Sequence, residues 1–180
     1  AGRLGAGREG SRATRWGASV SGPGRRLRVV VLASGNGTNL QALLDASAAG
    51  ALRAEVAAVV SDRTGAYALE RARLAGLTAV EAPFERGVVG PPVAKAVATH
   101  DPDYVLLLGW MRILSSAFLT RFPGRVVNLH PALPGTFPGV RAIERAFEAY
   151  RTGAIDRTGV MTHLVPDEGV DSGPVLAVEE

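Results

Sequence analysis

Short apolar segments rich in β-branched residues alternate with helical segments along most of this chain, and this alternation restricts its fold more than any other feature. The predicted strands cover 28–33, 54–61, 77–82, 103–109, 125–130, 159–165 and 174–180. The predicted helices cover 38–50, 66–76, 93–100, 115–122 and 139–153. Buried strands that alternate with helices are typical of an α/β fold with a parallel sheet covered on both faces. Ligands of such sheets bind beyond the carboxyl ends of the strands.

The last predicted helix, 139–153, is amphipathic. Ile143, Ala146, Phe147 and Tyr150 share one stripe. A stripe of this kind is typical of a helix with one apolar face.

The amino-terminal segment differs in composition from the rest. Residues 1–28 contain seven arginines and one acidic residue, Glu9, which leaves 13 basic and 16 acidic residues in the remainder of the 180-residue chain. We interpret 1–27 as a disordered Arg/Gly-rich extension and 28–180 as one domain. Two other interpretations stay open, a nucleic-acid-binding segment with Trp16 as its single aromatic residue and an Arg-rich transit peptide. We predict no nucleic-acid partner.

Several classes of protein are excluded by composition. The chain has no cysteine, so it has no disulfide, no thiolate nucleophile and no cysteine-based zinc site. We predict no metal site of any kind. No segment approaches the roughly 20 apolar residues of a membrane span, so we predict no membrane partner. The absence of cysteine suits a reducing compartment, and we expect a cytoplasmic protein.

A glycine-rich loop, ASGNGTNL (33–40), joins the first strand to the first helix. Gly35 and Gly37 permit a tight turn, and Thr38 and Asn39 offer donors beside the free N–H groups of the helix amino terminus, an arrangement that binds anions such as phosphate. Leu40 stands where a dinucleotide fingerprint has its third glycine, and no Walker lysine follows. The alternative is an ordinary turn in which Thr38 or Asn39 caps the helix.

An amide and an imidazole end the fifth strand. Asn128 and His130 are two residues apart on a strand, so they point to the same face, while Leu129 points away. Pro131 has no N–H and is expected to end the strand. Asn can donate to a developing oxyanion, and His can give or take a proton. The alternative is that both side chains only satisfy nearby backbone groups.

Acidic partners for His130 occur in the loop 165–174, which contains Asp167, Glu168 and Asp171. A carboxylate near the imidazole would favour its charged form. The residues alone do not select one of the three. His163 lies within the preceding strand, and we interpret it as structural.

Four segments together resemble the phosphoribosylglycinamide formyltransferases: SGNGTNLQAL, GWMRILSSAF, VVNLHPALPGTFPG and TGVMTHLVPDEGVDSGPVL. The resemblance extends from about Arg28 to the last residue. It implies a Rossmann-like, doubly wound, mostly parallel sheet and transfer of a formyl group from 10-formyltetrahydrofolate to the amine of glycinamide ribonucleotide in purine synthesis. In family terms, Asn128, His130 and Asp171 match the catalytic trio. Asn128 and charged His130 would stabilise the oxyanion, and Asp171 would hold the imidazole charged and help to move protons.

The resemblance also implies binding residues. Gly37, Thr38 and Asn39 match the loop that holds the substrate phosphate. The residues that match the folate site are Arg86, Met111, Arg112, Ile113, Leu114 and Asn128. Around Arg86 the sequence FERGVVGPP departs from the helix usual in the family.

Three alternatives remain: a formyltetrahydrofolate deformylase, in which water replaces the amine; a methionyl-tRNA formyltransferase; and a non-catalytic nucleotide-binding module. The deformylase would share the trio without needing the phosphate loop. Members of the family continue past the strand at 174–180 with an acidic loop and a helix, so we expect this chain to be C-terminally truncated. The oligomeric state is not predicted.

Overall fold

A computed structural model describes residues 25–82 and 89–180. The seven strands are β1 (Leu27–Leu32), β2 (Ala54–Ser61), β3 (Thr78–Glu81), β4 (Tyr104–Leu107), β5 (Val126–His130), β6 (Val160–Leu164) and β7 (Val175–Glu179). The five helices are α1 (Thr38–Ala48), α2 (Tyr67–Leu74), α3 (Pro91–Ala98), α4 (Ser116–Leu119) and α5 (Ala142–Arg151). The predicted extension covers residues 1–27. Residues 1–24 lie outside the described residues, and Leu27 is the first residue of β1.

All seven strands form one sheet in the order β3-β2-β1-β4-β5-β6-β7. The first five strands are parallel, whereas β6 pairs antiparallel to β5 and β7 antiparallel to β6. The chain thus runs outward from β1 to β3 and then returns to the other side of β1 through β4. This is the doubly wound arrangement with a switch point between β1 and β4, and the predicted mostly parallel sheet is confirmed.

Helices cover both faces of the sheet because the central strands are apolar on both sides. Val29 and Val31 point to one face, where they pack in a cluster with Leu40 of α1 and Leu69 of α2. The opposite face has its own cluster, whose members include Val30, Leu32, Val97 of α3 and Phe118 of α4. The two faces alternate along β1, as the period of a strand requires.

The loops after β1 and β4 lie together at the carboxyl edge. Ser34 donates its N–H to the Gly109 carbonyl over 3.1 Å, and its Oγ accepts from the N–H of Met111 over 3.0 Å. These bonds join the two loops that border the switch point, so this edge is a connected surface on which a ligand site can be built.

Of the four side chains on the predicted stripe of the last helix, Ala146 is buried and the other three are exposed. In α5 the buried residues are Ala142 and Ala146, whereas Ile143, Phe147 and Tyr150 are 65%, 66% and 60% exposed. Helical periodicity correctly identified residues that share a stripe. The face that contacts the rest of the domain is formed instead by the small residues Ala142 and Ala146. The exposed stripe borders a groove of about 460 Å³ that is closed on its other side by residues 155–159.

Candidate active site

One carboxylate, Asp171, joins three polar side chains at the carboxyl end of β5. Its Oδ1 accepts from Asn128 Nδ2 over 2.9 Å and lies 3.3 Å from His163 Nε2. Its Oδ2 lies 3.2 Å from His130 Nδ1. Of the three carboxylates in the loop 165–174, Asp171 is therefore the one that meets the Asn–His pair.

The strands explain how these side chains meet. Asn128 and His130 project from the same face of β5, and the strand ends at His130, directly before Pro131, as predicted. His163 lies on β6 directly opposite Asn128 in the antiparallel register. Residues paired in this way have neighbouring side chains, which brings the second imidazole to the same carboxylate.

Asp171 is held in place by its backbone as well as by its side chain. It has a φ of 50°, in the left-handed region that Asp adopts more readily than most residues. Its Oδ2 also accepts the backbone N–H of Gly139 over 2.7 Å. The loops 131–141 and 165–174 are thus tied together through this one side chain.

The other two carboxylates of the loop make contacts elsewhere. Asp167 accepts the N–H of Gly169 within its own loop, over 2.8 Å. Glu168 accepts the N–H of Ser116 at the start of α4, over 2.7 Å. Both contacts are local or structural, so neither carboxylate competes with Asp171 for His130.

The charges in this cluster favour ionised groups. Burial alone would lower the pKa of His163, but the Asp171 carboxylate and the Leu164 carbonyl outweigh it and raise that pKa above its ordinary value. Burial alone would raise the pKa of Asp171, but hydrogen bonds from His163 and Gly139, with the charges of both histidines, lower it. Asp171 is therefore an anion that two imidazoles and two N–H groups stabilise.

The protonation of His163 decides what Asn128 can do. His163 Nδ1 lies 2.8 Å from the Leu164 carbonyl and donates to it, which leaves Nε2 as an acceptor in the neutral ring. Neutral Nε2 then accepts from Asn128 Nδ2 over 3.1 Å. When the ring is charged, Nε2 donates to Asp171 instead, and one N–H of Asn128 becomes available to another acceptor.

His130 has one ring nitrogen that no described residue satisfies. Its side chain is only 4% exposed, Nδ1 faces Asp171, and Nε2 has no hydrogen-bond partner among residues 25–82 and 89–180. Buried polar atoms without a partner are rare in folded proteins. This nitrogen is therefore available to hydrogen-bond a ligand that is not part of the described chain.

A cavity of about 380 Å³ lies beside this cluster. Residues from both flanking loops line it: Pro134, Gly135, Thr136, Pro138, Met161, Val170, Asp171, Ser172, Gly173 and Val175. The larger groove along α5 includes none of Asn128, His130, His163 and Asp171. The smaller cavity is therefore the one that Asp171 borders.

The glycine loop lies beyond the carboxyl end of β1. Gly37 is the N-cap of α1 with a φ of 77°, and no side chain caps the helix, so Thr38 and Asn39 do not have the capping role of the alternative prediction. The backbone N–H groups of residues 36–40 have no acceptor within the described part of the chain. A side chain at Gly37 would bring its Cβ within 2.8 Å of Ala68, so this glycine is required for packing against α2.

Comparison with known proteins identifies the family of this chain. A sequence profile for the formyl transferase family matches residues 27–180. This chain belongs to the formyl transferase family. It is 40% identical to phosphoribosylglycinamide formyltransferase of Dictyostelium discoideum, over 84% of this chain and 82% of that protein. The Mycobacterium tuberculosis enzyme of the same name is 42% identical, over 86% of this chain and 71% of that protein.

Solved structures of the family agree with this fold. Glycinamide ribonucleotide transformylase 1 from Symbiobacterium toebii matches with a TM-score of 0.77 and 38% identity, covering 87% of this chain and 74% of that one. The Geobacillus kaustophilus protein of the same name matches with a TM-score of 0.76 and 38% identity, and the match covers 86% of this chain and 82% of that one. The formyl transferase fold therefore accounts for the whole sheet described above.

The segment that follows β4 in this formyl transferase has both exposed and buried parts. Met111 and Ile113 are 54% and 46% exposed apolar side chains, whereas Leu114 is buried in the core. Arg112 donates from Nε to the buried carboxylate of Asp62 over 2.9 Å. Of the four residues predicted here, Met111 and Ile113 can therefore meet a ligand through apolar side chains, and the Leu114 side chain cannot.

Three further sequence predictions concern Arg86, a metal site and a membrane span. Arg86 lies in 83–88, outside the described residues, so its assignment to the folate site stays a prediction. Within the described residues, no group of three or more His, Asp or Glu side chains is arranged to hold a metal ion. None of the described helices is long and apolar enough to span a bilayer.

Sequence reasoning missed two members of the formyl transferase site, His163 and Gly139. His163 was interpreted as structural, yet it contacts both Asp171 and Asn128. The signal that would have found it is the pairing of β5 with β6, since the histidine lies opposite Asn128. Gly139 contributes only a backbone N–H, which no sequence pattern reveals.

Proposed function

We propose that this formyl transferase moves the formyl group of 10-formyltetrahydrofolate to the amine of 5′-phosphoribosylglycinamide, in purine biosynthesis. The observation that carries the proposal is the buried Nε2 of His130, which has no hydrogen-bond partner among the described residues and belongs to a ring that Asp171 fixes beside the Asn128 amide. The names of the relatives support the choice of substrates.

The bound folate co-substrate supplies the formyl carbon that the amine attacks. Attack places negative charge on the formyl oxygen, and the transition state is stabilised by donors already aimed at that position. Charged His130 donates from Nε2 to this oxygen. Asn128 donates its second N–H once His163 is charged and has turned its own Nε2–H to Asp171. Because these donors are held by β5 and Asp171, they need little reorganisation during the reaction.

Protons leave the attacking amine as the new bond forms. Collapse of the tetrahedral intermediate breaks the bond between the formyl carbon and N10 of the folate. Charged His130 gives its Nε2 proton to N10, and the proton from the amine replaces it, so tetrahydrofolate leaves with that proton; ionised Asp171, which lies between the two imidazoles, holds His130 in place for both transfers. No nucleophilic side chain of the enzyme is needed, because the substrate amine is itself the nucleophile. This proposal assigns Asn128, His130 and Asp171 to catalysis and His163 to the control of Asn128.

The glycine loop binds the substrate phosphate in this proposal. The N–H groups of residues 36–40 at the amino terminus of α1 have no acceptor among the residues that the structure describes, so they suit an anion. Gly37, Thr38 and Asn39 contribute three of these groups. The loop lies beyond β1 and the catalytic cluster beyond β5, with only β4 between the two strands, so one substrate can span both.

The folate ring system packs on the segment after β4 in this proposal. Met111 and Ile113 present apolar surface, and β4 lies directly beside β5. Sites for ligands of cofactor size are typically lined by apolar side chains with a few polar groups, so Met111 and Ile113 fit the folate ring system. Arg112 lies between them and is oriented by Asp62.

The test compares three acceptors with the same enzyme and 10-formyltetrahydrofolate: the ribonucleotide, its dephosphorylated analogue and water alone. We expect rapid turnover with the ribonucleotide, a kcat/KM lower by about 10²-fold or more with the analogue, and slow turnover with water. Equal consumption of the folate in all three reactions would identify a deformylase and refute the proposal.

A further inference from the structure

Arg71 of α2 donates hydrogen bonds from all three guanidinium nitrogens, two to the glycine loop and one to α1. Nε donates to the Asn36 carbonyl over 2.9 Å, and Nη2 donates to Asn36 Oδ1 over 2.9 Å. Nη1 donates to Gln41 Oε1 on α1 over 3.0 Å. The Tyr67 ring, one turn earlier on α2, lies with its centroid 4.8 Å from the guanidinium carbon. The side chain is thus held in one orientation by two helices and the loop between β1 and α1.

These bonds direct the loop's peptide groups. The Gly35 carbonyl accepts from the N–H of Ala68, and the Asn36 carbonyl accepts from Arg71, so two successive carbonyls point towards α2. In a trans peptide the N–H points opposite to the preceding carbonyl. The N–H groups of Asn36 and Gly37 therefore point away from α2, to the side on which no described residue accepts them.

This orientation needs an external restraint. Gly35 and Gly37 flank Asn36, and glycine restricts rotation of the adjoining peptides less than any other residue. Within the described chain, Arg71 is the hydrogen-bond partner of both the carbonyl and the side chain of Asn36. Removing Arg71 would leave the Asn36–Gly37 peptide without a donor to hold it.

We propose that Arg71 is a positioning residue for the phosphorylated substrate, because it turns the Asn36–Gly37 peptide so that its N–H faces the phosphate. The inference rests on the proposed function, in which the glycine loop binds the substrate phosphate. A planar guanidinium is suited to this role, since it offers several donors in fixed directions, whereas a lysine offers a single point charge.

The test uses Arg71→Gln and Arg71→Lys, with Arg73→Gln as the matched control. Arg73 lies on the same helix and carries the same charge, but it pairs with Glu70 and Glu81 and does not contact the loop. We expect Arg71→Gln to raise the KM for the ribonucleotide about tenfold, the effect of losing a charge-assisted hydrogen bond. The kcat and the KM for the folate should stay within about twofold of wild type, because the hydrogen bonds of Arg71 go to Asn36 and Gln41 and not to the catalytic cluster or to the segment after β4.

Arg71→Lys separates geometry from charge. It keeps the positive charge but loses the planar fork, so we expect most of the rise in KM to remain. A wild-type KM in Arg71→Lys would show that the positive charge of Arg71 matters and its planar geometry does not. An equal rise in KM in Arg73→Gln would show that positive charge on α2 matters and the contact with the glycine loop does not. If Arg71→Gln does not fold, as judged by its melting temperature, the lysine variant carries the test alone. Wild-type enzyme that transfers no formyl group would refute the proposed function, whereas active wild type with an unchanged KM in both Arg71 variants would refute only this inference.

Discussion

Oδ2 of Asp171 lies 3.2 Å from Nδ1 of His130, and both side chains are almost completely buried. The same carboxylate holds Asn128, His163 and the Gly139 N–H. Replacing Asp171 with Asn keeps its size but removes the charge that two imidazoles require. We expect kcat to fall by about 10²-fold or more, with a smaller change in either KM. Steady-state kinetics over both substrates measures this.

Asp167→Asn is the matched control for that variant. Asp167 lies in the same loop, but its side-chain hydrogen bond among the described residues is to the N–H of Gly169 and not to a member of the catalytic cluster. We expect nearly wild-type kinetics. An equal loss of kcat in both variants would show that the loop, and not the carboxylate of Asp171, is responsible.

His130→Ala removes the buried Nε2 that we assign to the oxyanion. We expect kcat to fall by about 10²–10⁴-fold, the usual contribution of a positioned acid–base group. The far-ultraviolet circular dichroism should be unchanged, because Asp171 is the partner of the imidazole's Nδ1 and its Nε2 has no hydrogen-bond partner among the described residues. His100→Ala, a histidine outside the cluster, should retain full activity. A kcat for His130→Ala near that of wild type would remove His130 from the mechanism.

The raised pKa of His163 predicts a pH-dependent contribution to stability. A group whose pKa is raised by folding stabilises the native state while it is charged, and that stabilisation is lost as pH rises through the folded-state pKa. The gap in melting temperature between wild type and His163→Gln should therefore be larger near pH 6 than near pH 9, on either side of the imidazole range at about 6.5. A gap that does not vary with pH would show that the His163–Asp171 pair is not ionised.

At acid pH, protonation of Asp171 reduces the contribution of charged His163 to the stability of the native state. Its pKa is lowered in the folded protein, so its contribution is present above its unfolded pKa and is lost as pH falls through the folded value. The melting-temperature gap for His163→Gln should consequently decrease again when Asp171 becomes protonated.

Gly37 and Gly35 provide a matched pair for stability. Gly37 has a φ of 77°, and a Cβ there would lie 2.8 Å from the Ala68 backbone, whereas a Cβ at Gly35 meets nothing within 4 Å. We expect Gly37→Ala to lower the free energy of unfolding by roughly 2 kcal/mol. Gly35→Ala should change it by no more than about 0.5 kcal/mol. Urea unfolding measures both, and equal losses would contradict the close packing of the loop on α2.

Much of the site followed from local sequence rules. The period of a strand predicted that Asn128 and His130 share a face, and Pro131 predicted the end of β5; both predictions are confirmed. The choice of Asp171 over Asp167 and Glu168 required the family resemblance, because loop conformation decides which carboxylate turns inward. The φ of 50° at Asp171 belongs to that conformation, and composition does not reveal it.

The parts that sequence did not predict depend on contacts between distant segments. His163 joins the site only because β6 pairs antiparallel to β5 with Asn128 opposite. In α5, helical periodicity grouped Ile143 with Phe147 but could not show that Ala142 and Ala146 face the domain. The packing of Gly37 on Ala68 likewise requires the relative positions of α1 and α2, which no local pattern encodes.

The fate of the formyl carbon tests the central claim most directly. The enzyme is incubated with 10-formyltetrahydrofolate labelled in its formyl carbon and an excess of 5′-phosphoribosylglycinamide, and the label is measured in the amide product and in formate. Our account predicts that nearly all the label consumed appears in the amide and that consumption is slow without the ribonucleotide. Label released as formate at the same rate with and without the ribonucleotide would contradict it.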